Sequence, residues 1–301
     1  MKLQALSHPV MPVAFPNHLI FTSLINYFHF SAFTYTLIAV LMIVLQALYL
    51  NMITERHKLQ NKVTYYPAFM YVLLTSLYPA FNYFSEPLLI NWFLLLALDI
   101  MLSFPKTLYP RKQIFNAGFA ISVPFIIQFP AIGFVVLALV ALFLLRSYST
   151  SELVVLLLGY LTPVYFFLGI LYLFDKLTPA KFLPEIGFDL HALSASRIYL
   201  AGTIAGVGMM LLTGSYALQQ LNSKMIIYVR RSWILIFCYL LIAATVTLFA
   251  VSAVHAEWIL ILPPVCLIAS CVYFQENNKR LSTFMFYFSL ALLIFSQITF
   301  K

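Results

Sequence analysis

Five residues have the side chains that a phosphate- or metal-handling site needs: Glu86, Asp175, Glu185, Asp189 and His191. Carboxylates beside an imidazole can hold a divalent cation or do acid–base work on a phosphate-linked substrate. The last four belong to one stretch, 175–196, which reads DKLTPAKFLPEIGFDLHALSAS and sets Phe182, Leu183, Ile186, Phe188 and Leu190 between the polar positions. The same stretch also reads as a short amphipathic helix lying on a membrane with its acids in water. Lys181 and Glu185, four apart, then form an ordinary helix-surface pair. Asp189 and His191 are separated by one residue, a spacing that matches neither a metal-ligand pair nor part of a catalytic triad.

Asp99 is the one acid well inside an apolar run. An ionisable group at that depth marks a functional candidate by default, because a charge in hydrocarbon costs ~2.5–3.5 kcal/mol or more. Its distance from Lys106 is about two helical turns, so it can also lean to the interface and pair there. Lys106, Arg111 and Lys112 form a basic group suited to phospholipid or lipid-phosphate head groups, or simply to anchoring the cytoplasmic side. The histidines at 8, 18, 29, 57, 191 and 255 show no HxxxH or HExxH spacing, which argues against zinc. His29, His191 and His255 share the outer side of the assignment given below. No cofactor is evident, and a divalent metal at the outer acids is the one ion the residue types allow. Cys238, Cys266 and Cys271 all lie in apolar runs and form neither a disulfide framework nor a paired metal motif.

The elements that must position these groups are membrane spans. Of 301 residues 63% are hydrophobic and 9% charged, with a mean hydropathy of +0.97. Soluble domains carry about 25% charged residues, so most of this chain avoids water. Apolar runs of roughly 20 residues each cross a ~30 Å hydrocarbon layer. Ten are expected, near 32–52, 63–83, 87–104, 113–129, 131–146, 152–174, 198–218, 232–254, 257–273 and 281–300. This assignment places twelve of the 17 lysines and arginines on one side, from Arg56 to Arg280. Lys2, Lys176, Lys181, Arg197 and Lys301 fall on the other. Cytoplasmic loops collect positive charge, so the first side is expected to face the cytoplasm and both termini the outside. The net charge of +8 is thereby a matter of membrane orientation and not of nucleic-acid binding.

Local signals refine the spans. Residues 1–31 are aromatic and proline-broken, an interfacial segment whose Phe15, Phe21, Tyr27, Phe28 and Phe30 suit an aromatic belt. Ser149 and Glu152 read as a capping box opening the sixth span, with Arg146 the natural partner of Glu152. Gly202 and Gly206 form a GxxxG, which favours close helix packing. Pro124, Pro163, Pro263 and Pro264 interrupt spans and should kink them.

The order of QALYLN at 46–51, TYYPAFMYVLLTSLYP at 64–79, LLINWFLLLAL at 88–98, the run 112–146 and ELVVLLLGYLTPVYF at 152–166 resembles a poorly characterised family of polytopic bacterial inner-membrane proteins, a domain of unknown function. Segment 112–166 is also distantly similar to C-type membrane glycosyltransferases, which take sugars from polyprenyl-phosphate donors outside the membrane. Those enzymes carry an acidic motif in their first outer loop, whereas here no outer acid precedes Glu86.

The expectation is an all-α, polytopic transmembrane helical bundle of the bacterial inner membrane, in part like the C-type glycosyltransferases. It has an interfacial segment (1–31), a membrane domain (32–301) and one sizeable outer loop (175–196). Membrane lipids are its expected partners, including a polyprenyl-phosphate lipid, with a membrane-protein partner also open. The leading function is a non-enzymatic or degenerate transferase-like envelope component. The alternative is an active transferase, or a transporter of lipid-linked sugar, using the outer acids.

Overall fold

In hydrocarbon every backbone amide and carbonyl must be satisfied by the protein itself, and long continuous apolar runs do this within one segment as helices. The computed structural model describes residues 2–12, 19–60, 64–107, 110–146, 149–175, 197–222, 225–249, 256–274 and 279–299, and contains no strand among them. Its helices are α1 (Lys2–Ser7), α2 (Leu19–Phe28), α3 (Ala32–Arg56), α4 (Tyr66–Thr75), α5 (Glu86–Ser103) and α6 (Pro110–Ile127). They continue with α7 (Phe134–Leu145), α8 (Thr150–Leu173), α9 (Arg197–Asn222), α10 (Ile227–Phe249), α11 (Leu262–Ser270) and α12 (Lys279–Thr299). Tight 3₁₀ turns at Phe104–Lys106 and Cys271–Phe274 lengthen α5 and α11, and Ala256–Ile261 leads into α11.

Six segments are long and apolar enough to cross a membrane: Ala32–Arg56, Glu86–Lys106, Thr150–Leu173, Ile227–Phe249, Ala256–Phe274 and Lys279–Gln297. The chain is therefore a membrane-embedded helical protein. A helix also stands at each of the other four expected places, but two of them are short. At 1.5 Å per residue, the ten residues of α4 reach about half of a ~30 Å layer. At its end the Ser76 and Leu77 amides turn to the Leu73 and Leu74 carbonyls, at 3.0 and 3.2 Å, and Pro79 then starts the 3₁₀ turn Pro79–Asn82. Pro130 lies in the 3₁₀ turn Phe129–Gly133, a joint between α6 and α7 as tight as its position suggests. Pro263 and Pro264 occupy the first turn of α11, where their missing amides cost no helical bond.

The core lies along α5 and the Ala256–Phe274 segment, of which 67% and 78% are buried. By contrast only 11% of α8 and 22% of α12 are covered by protein. α6 and α8 nevertheless touch backbone to backbone. A Cβ on Gly118 would strike the Leu156 carbonyl oxygen, and one on Gly159 would strike that of Phe115. At the GxxxG, a Cβ on Gly206 would collide with Leu292 of α12, and Gly202 faces the Phe295 ring. The motif is thus a packing surface for α12.

The N-terminal segment is docked. Lys2 Nζ donates to Thr75 Oγ1 at 3.2 Å, and Phe21 is buried with its ring stacked 5.6 Å from that of Phe84. Phe21 therefore belongs to the core and not to an interfacial belt, whereas Tyr27, Phe28 and Phe30 are exposed. Phe15 lies outside the described residues. The capping box is also corrected. Ser149 stands at the start of α8, but its hydroxyl meets Ser151 Oγ at 2.9 Å and does not cap the helix. Glu152 turns instead to Arg146, at 3.0 and 3.2 Å, because a two-bond ion pair outweighs a single amide contact.

Candidate functional site

The last turns of α3 and α5 bring together a set of charges. α3 closes with its last carbonyls satisfied in a Schellman pattern: Leu59 N–H donates to Thr54 O at 3.0 Å and Lys58 N–H to Glu55 O at 3.1 Å. That reversal turns His57 inward, where it is 1% exposed, and leaves Arg56 and Lys58 facing out. Across from it, α5 presents Asp99, itself 7% exposed.

Both oxygens of Asp99 are taken. Oδ1 receives His57 Nε2 at 2.7 Å, while Oδ2 receives Arg56 Nη1 and, at 3.1 Å, the Tyr49 hydroxyl. His57 Nδ1 lies 3.2 Å from the Tyr228 oxygen on α10, and Tyr228 donates its own proton to the Leu102 carbonyl at 2.6 Å. His57 thus bridges α5 and α10, its Nε2 on the carboxylate and its Nδ1 on the Tyr228 oxygen. Lys106 completes it, donating to Arg56 O at 3.3 Å with its ammonium 4.8 Å above the Tyr228 ring. The turn after α3 is pinned further by Trp233 Nε1 to Leu59 O (3.2 Å) and Gln60 Nε2 to Ser270 Oγ (2.7 Å). Arg146 reaches the same end of the bundle, donating to Phe104 O at 3.2 Å.

Asp99 is thus paired near the end of α5, with Arg56 and His57 as its partners. The acid is held by three donors, and His57 is enclosed, so neither can reach a substrate atom without opening the bundle. The arrangement fixes charge in place and carries a surplus of cations on its outer side.

The remaining candidates are dispersed. Glu86 is buried in the first turn of α5, where a carboxylate suits the positive end of the helix dipole. Asp175 is exposed just past α8, with φ of 52°. Burial of the one and exposure of the other means they present no common face to solvent. Glu185, Asp189 and His191 lie outside the described residues, as do His18 and His255. Lys106, Arg111 and Lys112 are all exposed around the junction of α5 and α6. Among the described residues no three His, Cys, Asp or Glu are grouped so as to hold a metal ion. His57, Tyr49 and Tyr228 were not singled out from the sequence. Tyr49, Arg56 and His57, at i, i+7 and i+8, share one helix stripe, a signal that was available, whereas nothing local marks Tyr228.

The chain belongs to the Family of unknown function (DUF6427), whose model matches residues 2–301. No curated protein and no solved structure matches it. The likeness of 112–166 to C-type glycosyltransferases accordingly gains no support from these comparisons.

Proposed function

We propose that this protein is a non-enzymatic component of the bacterial inner membrane that binds a phosphate-bearing, lipid-linked ligand at its basic end, on the cytoplasmic side. The observation that carries the reading is the Asp99 cluster. A carboxylate with both oxygens occupied and a histidine sealed from solvent are poor acid–base catalysts, yet they hold cations rigidly beside an interface. Anionic lipids attract such segments by about 1 kcal/mol per cation near the surface. Ten crossings fit this reading, the six long apolar segments being joined by α4 with its 3₁₀ extension, α6, α7 with its preceding 3₁₀ turn, and α9. The ends of α3, α5, α7 and α11 and the starts of α8 and α10 then share one face, in keeping with the contacts of Arg146, Tyr228, Trp233 and Gln60 described above.

Native mass spectrometry of the full chain, purified in mild detergent, tests this. The expected result is a retained phosphate-bearing lipid that the protein leaves chemically unchanged. Turnover of a polyprenyl-phosphate sugar, abolished by Glu86→Gln, would replace the reading with that of an active transferase. A tightly held protein partner and no such lipid would make the chain a structural subunit.

A further inference from the structure

Lys58 occupies a backbone position that favours glycine. Its φ is 51°, the left-handed conformation required at the residue following a helix C-cap in a Schellman turn, where a Cβ is strained. A residue held in such a conformation persists only where its surroundings over-determine it, and here they do. His57 before it is bonded to Asp99 and Tyr228, and Leu59 and Gln60 after it are bonded to Trp233 and Ser270. The side chain carried by this strained backbone is a cation facing outward.

Lys106 Nζ reaches the carbonyl of Arg56, two residues before Lys58, which brings the two like charges to the same turn. Lys106 cannot easily swing away, being tied to the Arg56 carbonyl and seated over the Tyr228 ring. Arg56 is the third member. Its guanidinium spends one corner on Asp99, and its side chain remains 54% exposed. The nearby acid on α3, Glu55, accepts from Asn51 Nδ2 at 2.9 Å. Three cations are therefore gathered around one pinned turn, at the ends of α3 and α5.

We infer that Arg56, Lys58 and Lys106 form a binding site for the phosphate group of an anionic ligand, supplied by a lipid head group or by a free phosphate ester. Such a group offsets the gathered charge, takes charge-assisted hydrogen bonds from a planar guanidinium and two ammonium groups, and gives the strained lysine a role that glycine could not fill. The inference rests on the binding function proposed above and names the residues responsible.

The test uses the full chain reconstituted in phosphatidylcholine vesicles doped with phosphatidic acid, then extracted for native mass spectrometry. Wild type and Lys58→Arg should retain phosphatidic acid, and Lys58→Gly should retain about fivefold less, the loss expected for one interfacial cation. Lys58→Gly relieves backbone strain, so it should melt at or above the wild-type temperature, separating lost binding from lost folding. Added inorganic phosphate identifies the source. Failure to displace the lipid assigns the site to a head group, whereas displacement, with phosphate alone raising the melting temperature of wild type but not of Lys58→Gly, assigns it to a free phosphate. Equal retention by Lys58→Gly and wild type overturns this site and leaves the proposed function standing. No retained lipid and no phosphate response in wild type overturns both.

Discussion

Two polar regions lie within this apolar bundle, and they are satisfied differently. At the basic end Asp99 is ringed by Arg56, His57 and Tyr49. Deeper in, Tyr71 donates to Gln46 Oε1 at 2.6 Å and accepts from Asn91 Nδ2 at 2.6 Å, while Gln46 Nε2 donates to Leu88 O at 2.8 Å. This second network is neutral and buried, and leaves Asn91 Oδ1 and the Tyr239 hydroxyl without hydrogen-bond partners among the described residues. The difference follows from what each group costs to bury. An uncompensated ion loses several kcal/mol of solvation, so the carboxylate must collect counter-charges. A lone amide oxygen or hydroxyl loses ~1–3 kcal/mol, which a large apolar core can absorb.

The comparison makes a ranked set of predictions. Removing the carboxylate by Asp99→Ala takes the shared acceptor from Arg56, His57 and Tyr49 at once and should destabilise the protein by about 3–5 kcal/mol, read as a fall in melting temperature in detergent. Tyr71→Phe leaves Gln46 Oε1 and Asn91 Nδ2 unpartnered and should cost about 1–3 kcal/mol. A loss as large as that of Asp99→Ala would break the distinction between the two regions.

Lys2 sharpens it further, as a half-buried cation whose partner among the described residues is the Thr75 hydroxyl. Burial pushes its ammonium down from the ordinary lysine value of 10.5 to about 8. Between those values the undocked segment binds more protons than the docked one, so docking of α1 should strengthen as pH rises from about 8 to 10.5 and be flat on either side. Hydrogen exchange of α1 measures this, and Lys2→Met should abolish the dependence.

Much of the frame is legible in the chain. Apolar length places a helix at every expected position, because a long continuous apolar run satisfies its own backbone as a helix. Prolines at 67, 79, 130, 263 and 264 mark where helices begin or tighten. The pairing of Arg146 with Glu152 also follows from their six-residue separation around a helix start. Span lengths are less accessible, since α4 tightens at the Ser76 and Leu77 amides, ahead of Pro79, within the run 63–83.

The candidate site was legible only in part. Asp99 and Lys106 could be chosen from depth and charge, which are properties of each residue in its own run. His57 resembled any loop histidine, and Lys58 one more interfacial cation. Their roles depend on a left-handed turn that buries one and exposes the other, and on Tyr228, 171 residues from His57, closing over the ring. The sequence by itself determined that this is a helical membrane protein, because the avoidance of water by long apolar runs acts on each segment separately. Only the tertiary structure decided which charges meet, because hydrogen bonds between helices depend on rotation and register that no single segment encodes.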